Sequence, residues 1–124
     1  MDARFLITGK LNAFDQLDII RKLSNVLPII DGVVRDENKG KEKSVLIVMA
    51  LGMISDEHND YIVKKCLSLV SMMQEGNSGA AKILVNGNLM FSDITLKDIL
   101  DITAKVIEDN LGDFFSTARS EVDM

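Results

Sequence analysis

The run VLIVMALGMI at residues 45–54 constrains this chain more than any other feature. Ten consecutive residues without a polar side chain must be covered by protein or face something apolar. A helix of that length rises about 15 Å, half the thickness of a bilayer core, so the run cannot span a membrane. Its composition suits a buried strand or a buried helix. The length and the Ala-Leu-Gly-Met ending favour a helix over 44–54, opened by Ser44. Apolar all round, such a helix is expected at the centre of the molecule, with Met49 and Met53 in the core. Gly52 lowers helix propensity, which implies close packing there or the end of the helix.

The rest of the chain is proportioned for one domain. It has 124 residues, 47% of them hydrophobic, enough to bury a core without staples. The net charge of −5 gives no electrostatic footprint for nucleic acid or an anionic membrane. A single cysteine, Cys66, excludes an intramolecular disulfide and reads as a small apolar residue on a buried helix face. The opening MDARFLITG shows no basic segment leading into a long apolar run, so no secretory signal is expected and a cytosolic protein is.

Local signals predict an α+β fold, mainly helical, with four principal helices and a small antiparallel sheet. Residues 4–11 read as an N-terminal strand with Gly9 as a bulge. Asn12 caps a helix over 12–28 that Pro28 kinks or ends, and Asp31-Gly32 reads as a turn. The charged segment 35–43, RDENKGKEK, is a solvated loop. Ser55 caps a third helix running to about Met73, on the stripe Ile62, Cys66, Leu69, Val70 and Met73, and Gly76 opens the loop EGNSGA. Within 82–91 the pair Asn86-Gly87 separates two apolar runs and predicts a tight hairpin. A lone hairpin is marginal in water, so the N-terminal strand is expected to complete its sheet. Thr95 and Asp98 then make a capping box, Ile94 and Ile99 a hydrophobic staple, and Leu111-Gly112 a stop for a helix over 95–111. One domain over 1–115 and a flexible tail over 116–124 are expected.

No catalytic constellation is visible. His58 is the single histidine and has no partners at metal-ligand spacing. One His and one Cys build no nucleophilic triad, and no glycine-rich phosphate loop occurs. No cofactor or metal is expected, and a binding module is. The candidate partner-binding residues are Met72, Met73, Phe91, Phe114 and Phe115. Adjacent residues cannot share one helix face, so one of Met72 and Met73 should be exposed. Phe114 and Phe115 either seal the core or meet a partner.

Three segments, 9–28 (GKLNAFDQLDIIRKLSNVLP), 56–70 (DEHNDYIVKKCLSLV) and 89–115 (LMFSDITLKDILDITAKVIEDNLGDFF), resemble in that order the tail assembly chaperones of long-tailed bacteriophages and prophages. The resemblance rests on Leu11, Ala13, Phe14 and Gln16, on Leu-Met-Phe at 89–91, on Asp93-Ile94, and on the Asn-Leu-x-x-Phe-Phe close at 110–115. It covers roughly half the chain, and its motifs are packing patterns, not catalytic signatures. It implies a non-enzymatic protein of the host cytoplasm that binds the tape measure protein, keeps it soluble and helps tail tube subunits polymerise around it. It further implies absence from the mature virion, and a tail after Phe115 compatible with a frameshifted longer form. The competing readings are a structural tail or head-to-tail joining protein, and a small phage-encoded helical regulator of a host protein. The apolar surplus also permits a homo-oligomer.

Overall fold

The computed structural model describes residues 1–34, 43–76 and 79–122. Its elements follow the order β1 (Phe5–Ile7), α1 (Ala13–Lys22), a 3-10 turn (Ser24–Val26), α2 (Leu27–Val34), α3 (Lys43–Gly52), α4 (Asp56–Leu67), β2 (Val70–Met73), β3 (Ala80–Lys82), β4 (Leu84–Val85), β5 (Asn88–Leu89) and α5 (Leu96–Val122). The α+β, mainly helical class is as expected, with five α-helices among the described residues where four were expected.

The three helix starts marked by a capping side chain form as expected, whereas α3 opens at Lys43, one residue before Ser44, and the start of α2 at Leu27 was not expected. The Asn12 side chain accepts from the Asp15 N–H at 2.8 Å, and Ser55 accepts from the His58 N–H at 3.2 Å. Before α5 the capping box closes both ways. The Asp98 N–H donates to Thr95 Oγ1 at 3.1 Å, and the Thr95 N–H donates to Asp98 Oδ2 at 3.0 Å. Ile94 and Ile99 both pack against the core.

Helix ends depart from expectation. The helix expected over 12–28 ends at Lys22, and Pro28 is the second residue of α2. In a first turn its missing N–H has no intrahelical partner to lose, so the proline starts a helix where it was expected to stop one. Asp31 and Gly32 lie inside α2 and make no turn. Gly112 does not stop α5, which continues to Val122. The charged loop expected at 35–43 falls, except for Lys43, outside the described residues, and so do residues 77–78 of the loop after Gly76.

The sheet is the largest correction. Residues 70–73 were expected to close a helix but form β2, the middle strand of an antiparallel β1-β2-β3 sheet. Phe5 pairs with Met72 and Ile7 with Val70 on one side, and Ser71 pairs with Lys82 and Met73 with Ala80 on the other. The N-terminal strand therefore pairs with β2, not with the Asn-Gly hairpin. At its end the Thr8 and Gly9 N–H groups both donate to the Leu69 carbonyl, at 2.8 and 3.1 Å, the two-against-one pattern of a bulge. A Cβ on Gly9 would lie 3.0 Å from Leu69 Cδ2, so glycine suits this approach.

The Asn-Gly hairpin forms as its own ladder, with Leu84 opposite Leu89 and Val85 opposite Asn88. Asn86 and Gly87 have φ of 53° and 80°, the left-handed values a tight two-residue turn needs. Buried Ile83 joins this ladder to the larger sheet: its N–H donates to Val70 O at 3.2 Å, and its carbonyl accepts from the Met90 N–H at 2.9 Å.

The core is centred on α5, which packs against α2, α3 and α4. Ile102, Thr103, Ala104, Val106, Ile107 and Leu111 are all buried, wrapping more than one side of the helix. Isoleucines and leucines of the other elements, among them Ile19, Leu23, Ile30, Ile47 and Ile62, fill the space around it. Lys22 stands over the Tyr61 ring at 4.3 Å, and Lys65 Nζ reaches Asp15 Oδ2 at 3.4 Å, so α1 is tied to α4 at its edges.

Candidate functional site

The apolar helix expected at the centre is the one left half uncovered. On α3 the inward stripe Leu46, Ile47, Ala50 and Leu51 meets α2 and α5, and Ile54 just past the helix end also packs against the core. Val45, Val48, Met49 and Gly52, at i, i+3, i+4 and i+7, form an opposite stripe, continued by Met53 just past the helix end. The four side chains on this stripe are 47–62% exposed. The expectation that Met49 and Met53 lie in the core is corrected: a run apolar on all sides met neighbours on only one. Exposed apolar side chains in a continuous row differ from the scattered ones any surface carries.

Gly52 sits within this stripe. A Cβ added there would meet nothing within 4 Å, and its φ is not left-handed. Gly52 is the last residue of α3, so it falls at the helix end that its low propensity implied, and its missing side chain leaves the outward stripe flat there.

The residues singled out from the sequence fall into two adjacent pairs and one single residue. In each pair one member is inside and the other outside. Met72 is 6% exposed and Met73 48%, because successive residues of β2 point to opposite faces. Phe115 is 4% exposed and Phe114 45%, because successive residues of α5 diverge around the helix. The two rings touch edge-on at 5.2 Å between centroids. Phe91, half-buried, packs against the core beyond the hairpin. The methionine pair lies on the sheet and the phenylalanine pair on the long helix. The outward row on α3 was missed, because a patternless apolar run carries no marker of which side will be covered.

The Leu11 motif is explained by folding. Leu11 is buried where the chain turns from sheet to helix. Its N–H donates to Asn110 Oδ1 at 3.0 Å, and its carbonyl accepts from Gln16 Nε2 at 3.3 Å. Asn110 in turn donates to the Val106 carbonyl at 2.9 Å. Phe14 of the same motif has no such role and is 79% exposed, beside exposed Leu17 one turn on. A cavity of about 350 Å³ lies between this turn and α5, lined by Lys10, Gln16, Asp109, Asn110 and Asp113 among others.

Chemistry offers little else. Burial pushes the Cys66 thiol up to about 12, far from a reactive thiolate. No group of three or more potential ligands could hold a metal ion among the described residues. No described helix is long and apolar enough to cross a membrane.

The family model described as phage tail assembly chaperone protein, TAC, matches residues 4–121. The chain belongs to the phage tail assembly chaperone family. No curated protein and no solved structure matches it. For an assembly chaperone, a row of uncovered aliphatic and methionine side chains is a meaningful surface. Methionine is flexible and polarizable, and it adapts to different apolar partners without one fixed geometry.

Proposed function

We propose that this chaperone binds the tape measure protein through the outward face of α3, keeps it soluble, and promotes polymerisation of tail tube subunits around it. The observation that carries this reading is the row Val45, Val48, Met49 and Met53, four apolar side chains uncovered in succession along one face, where α1 exposes only the pair Phe14 and Leu17. A protein that sets tail length has long amphipathic helices, whose apolar stripes aggregate until the tube encloses them. Helix-in-groove contact covers such stripes without reading one sequence. The exposed members of the two adjacent pairs, Met73 and Phe114, extend the apolar surface available to a client, while Met72, Phe91 and Phe115 hold them in place. On this reading the protein acts in the host cytoplasm, catalyses nothing and is absent from the finished virion.

The test is co-expression with the tape measure protein of the same genome. The wild-type chain should retain it in the soluble fraction. The double variant Val48→Asp/Met49→Asp should fold normally by circular dichroism and lose that retention. Unchanged retention would remove α3 from the mechanism. Abundant peptides of this chain in purified virions would favour a structural tail or joining protein instead.

A further inference from the structure

We propose that the occupant of the α3 face is a cationic amphipathic helix, an aliphatic stripe flanked by lysine or arginine. This rests on the reading of α3 as the docking face and adds the chemistry of what docks. The shape comes first. Val45, Val48, Met49 and Gly52 make a straight row about 10 Å long. Gly52 leaves a flat spot that nothing in this protein fills. A second helix backbone can approach closely there, as small residues allow wherever helices pack tightly. The size comes next. Four half-exposed side chains offer a few hundred Å², against roughly 800 Å² per partner in a stable interface. One helix laid across the row matches that footprint better than a second copy of this chain.

Charge then selects among helices. The row contains no charged residue, and its two ends differ. At the start, Lys43 is neutralised by Glu108 of α5. At the far end the chain turns at Ser55 into α4, whose first turn is held against α3 by Asn59 Nδ2 donating to the Leu51 carbonyl at 3.2 Å. There Asp56, Glu57 and Asp60 are exposed, and no ion pair engages them among the described residues. Asp56 and Glu57 complement the helix N-terminus. Asp60 lies beyond that first turn, and Lys64, one turn further on, forms no ion pair with it. A client helix crossing Met53 passes these carboxylates, and basic residues on its flank would engage them. The net charge of −5 adds long-range attraction of the same sign.

Two synthetic helical peptides test this, sharing one Leu/Val stripe and differing only in Lys or Glu flanks, titrated into the full chain at low and high salt. The Lys-flanked peptide should bind about tenfold more tightly at low salt, as two or three exposed pairs predict, and the gap should shrink as salt rises. Asp60→Asn should narrow the gap, and Asp56→Asn/Glu57→Gln/Asp60→Asn should close it. Val48→Asp should abolish binding of both peptides. Equal affinities in the wild type, both lost in Val48→Asp, would overturn the charge selection and leave the α3 face standing. A gap that survives the triple variant, or no binding of either peptide, would also overturn it. Binding untouched by Val48→Asp would instead remove the face itself. A concentration-dependent dimer split by Val48→Asp would give the face to a second copy and overturn the proposal.

Discussion

Cys66 shows how far burial alone can set a residue's chemistry. It is fully buried on α4, and desolvation of the thiolate pushes its thiol up to about 12 from an ordinary value of 9.0. Between those values the folded chain holds a proton that the unfolded chain releases, so stability falls as pH rises through that window and is unaffected below it. Urea midpoints measured from pH 8 to 11 should therefore drop more steeply in the wild type than in Cys66→Ala. Parallel profiles would mean that the thiol is solvated. The inert reading of Cys66 was available from its place in the stripe with Ile62. The pinning of Leu11 by Asn110 was not, because it joins residues 99 positions apart.

Elements were legible where local rules act alone. Asn12, Ser55 and Thr95 each announced a helix start that forms through a hydrogen bond three residues along the chain, and Asn86-Gly87 announced its turn. Ends were less legible, since tertiary packing decides them. The segment 70–73 continues a helical stripe in sequence, yet its backbone is claimed from both sides by β1 and β3, and long-range pairing outweighs local periodicity. Gly112 reads as a stop, yet α5 runs through it because the helix is covered by the core on either side of that point. A Cβ at Gly112 would make ordinary contact with Val34 Cγ1 at 3.8 Å. Gly112→Ala should accordingly stabilise the protein by about 0.5–1 kcal/mol, measured by urea unfolding. A glycine at a true helix stop would give the opposite sign, since alanine resists the left-handed conformation used there.

For the molecule as a whole, α5 holds the helices and the sheet about a common core, and its last buried ring is Phe115. If one domain closes at residue 115, truncation separates two cases. Removing residues 113–124 deletes that ring and should cost about 3–5 kcal/mol, as large aromatic deletions do. Removing 116–124 leaves the ring in place and should cost much less by urea midpoint; equal losses would move the boundary outward. The candidate docking face was the least legible feature at this scale. VLIVMALGMI is apolar on every side, so nothing in it distinguishes Ile47, which α5 and α2 enclose, from Val48, which they leave open. Only the number and placement of neighbouring helices makes that distinction.

The outward row on α3 also gives the protein a particular sensitivity to oxidants. Thioether sulfur takes up oxygen to become a polar sulfoxide, and accessible methionines react first. Met49 and Met53 lie open on the row and Met1, Met73 and Met90 elsewhere on the surface, whereas Met72 is enclosed. Mild peroxide should therefore convert these exposed five before Met72, as peptide mass mapping would register. Client retention should fail while circular dichroism is still that of the folded chain. Simultaneous loss of both would mean that the same methionines hold the fold together. On the proposed reading, the softness by which the row would adapt to apolar helices also makes it the first part of the molecule that peroxide silences.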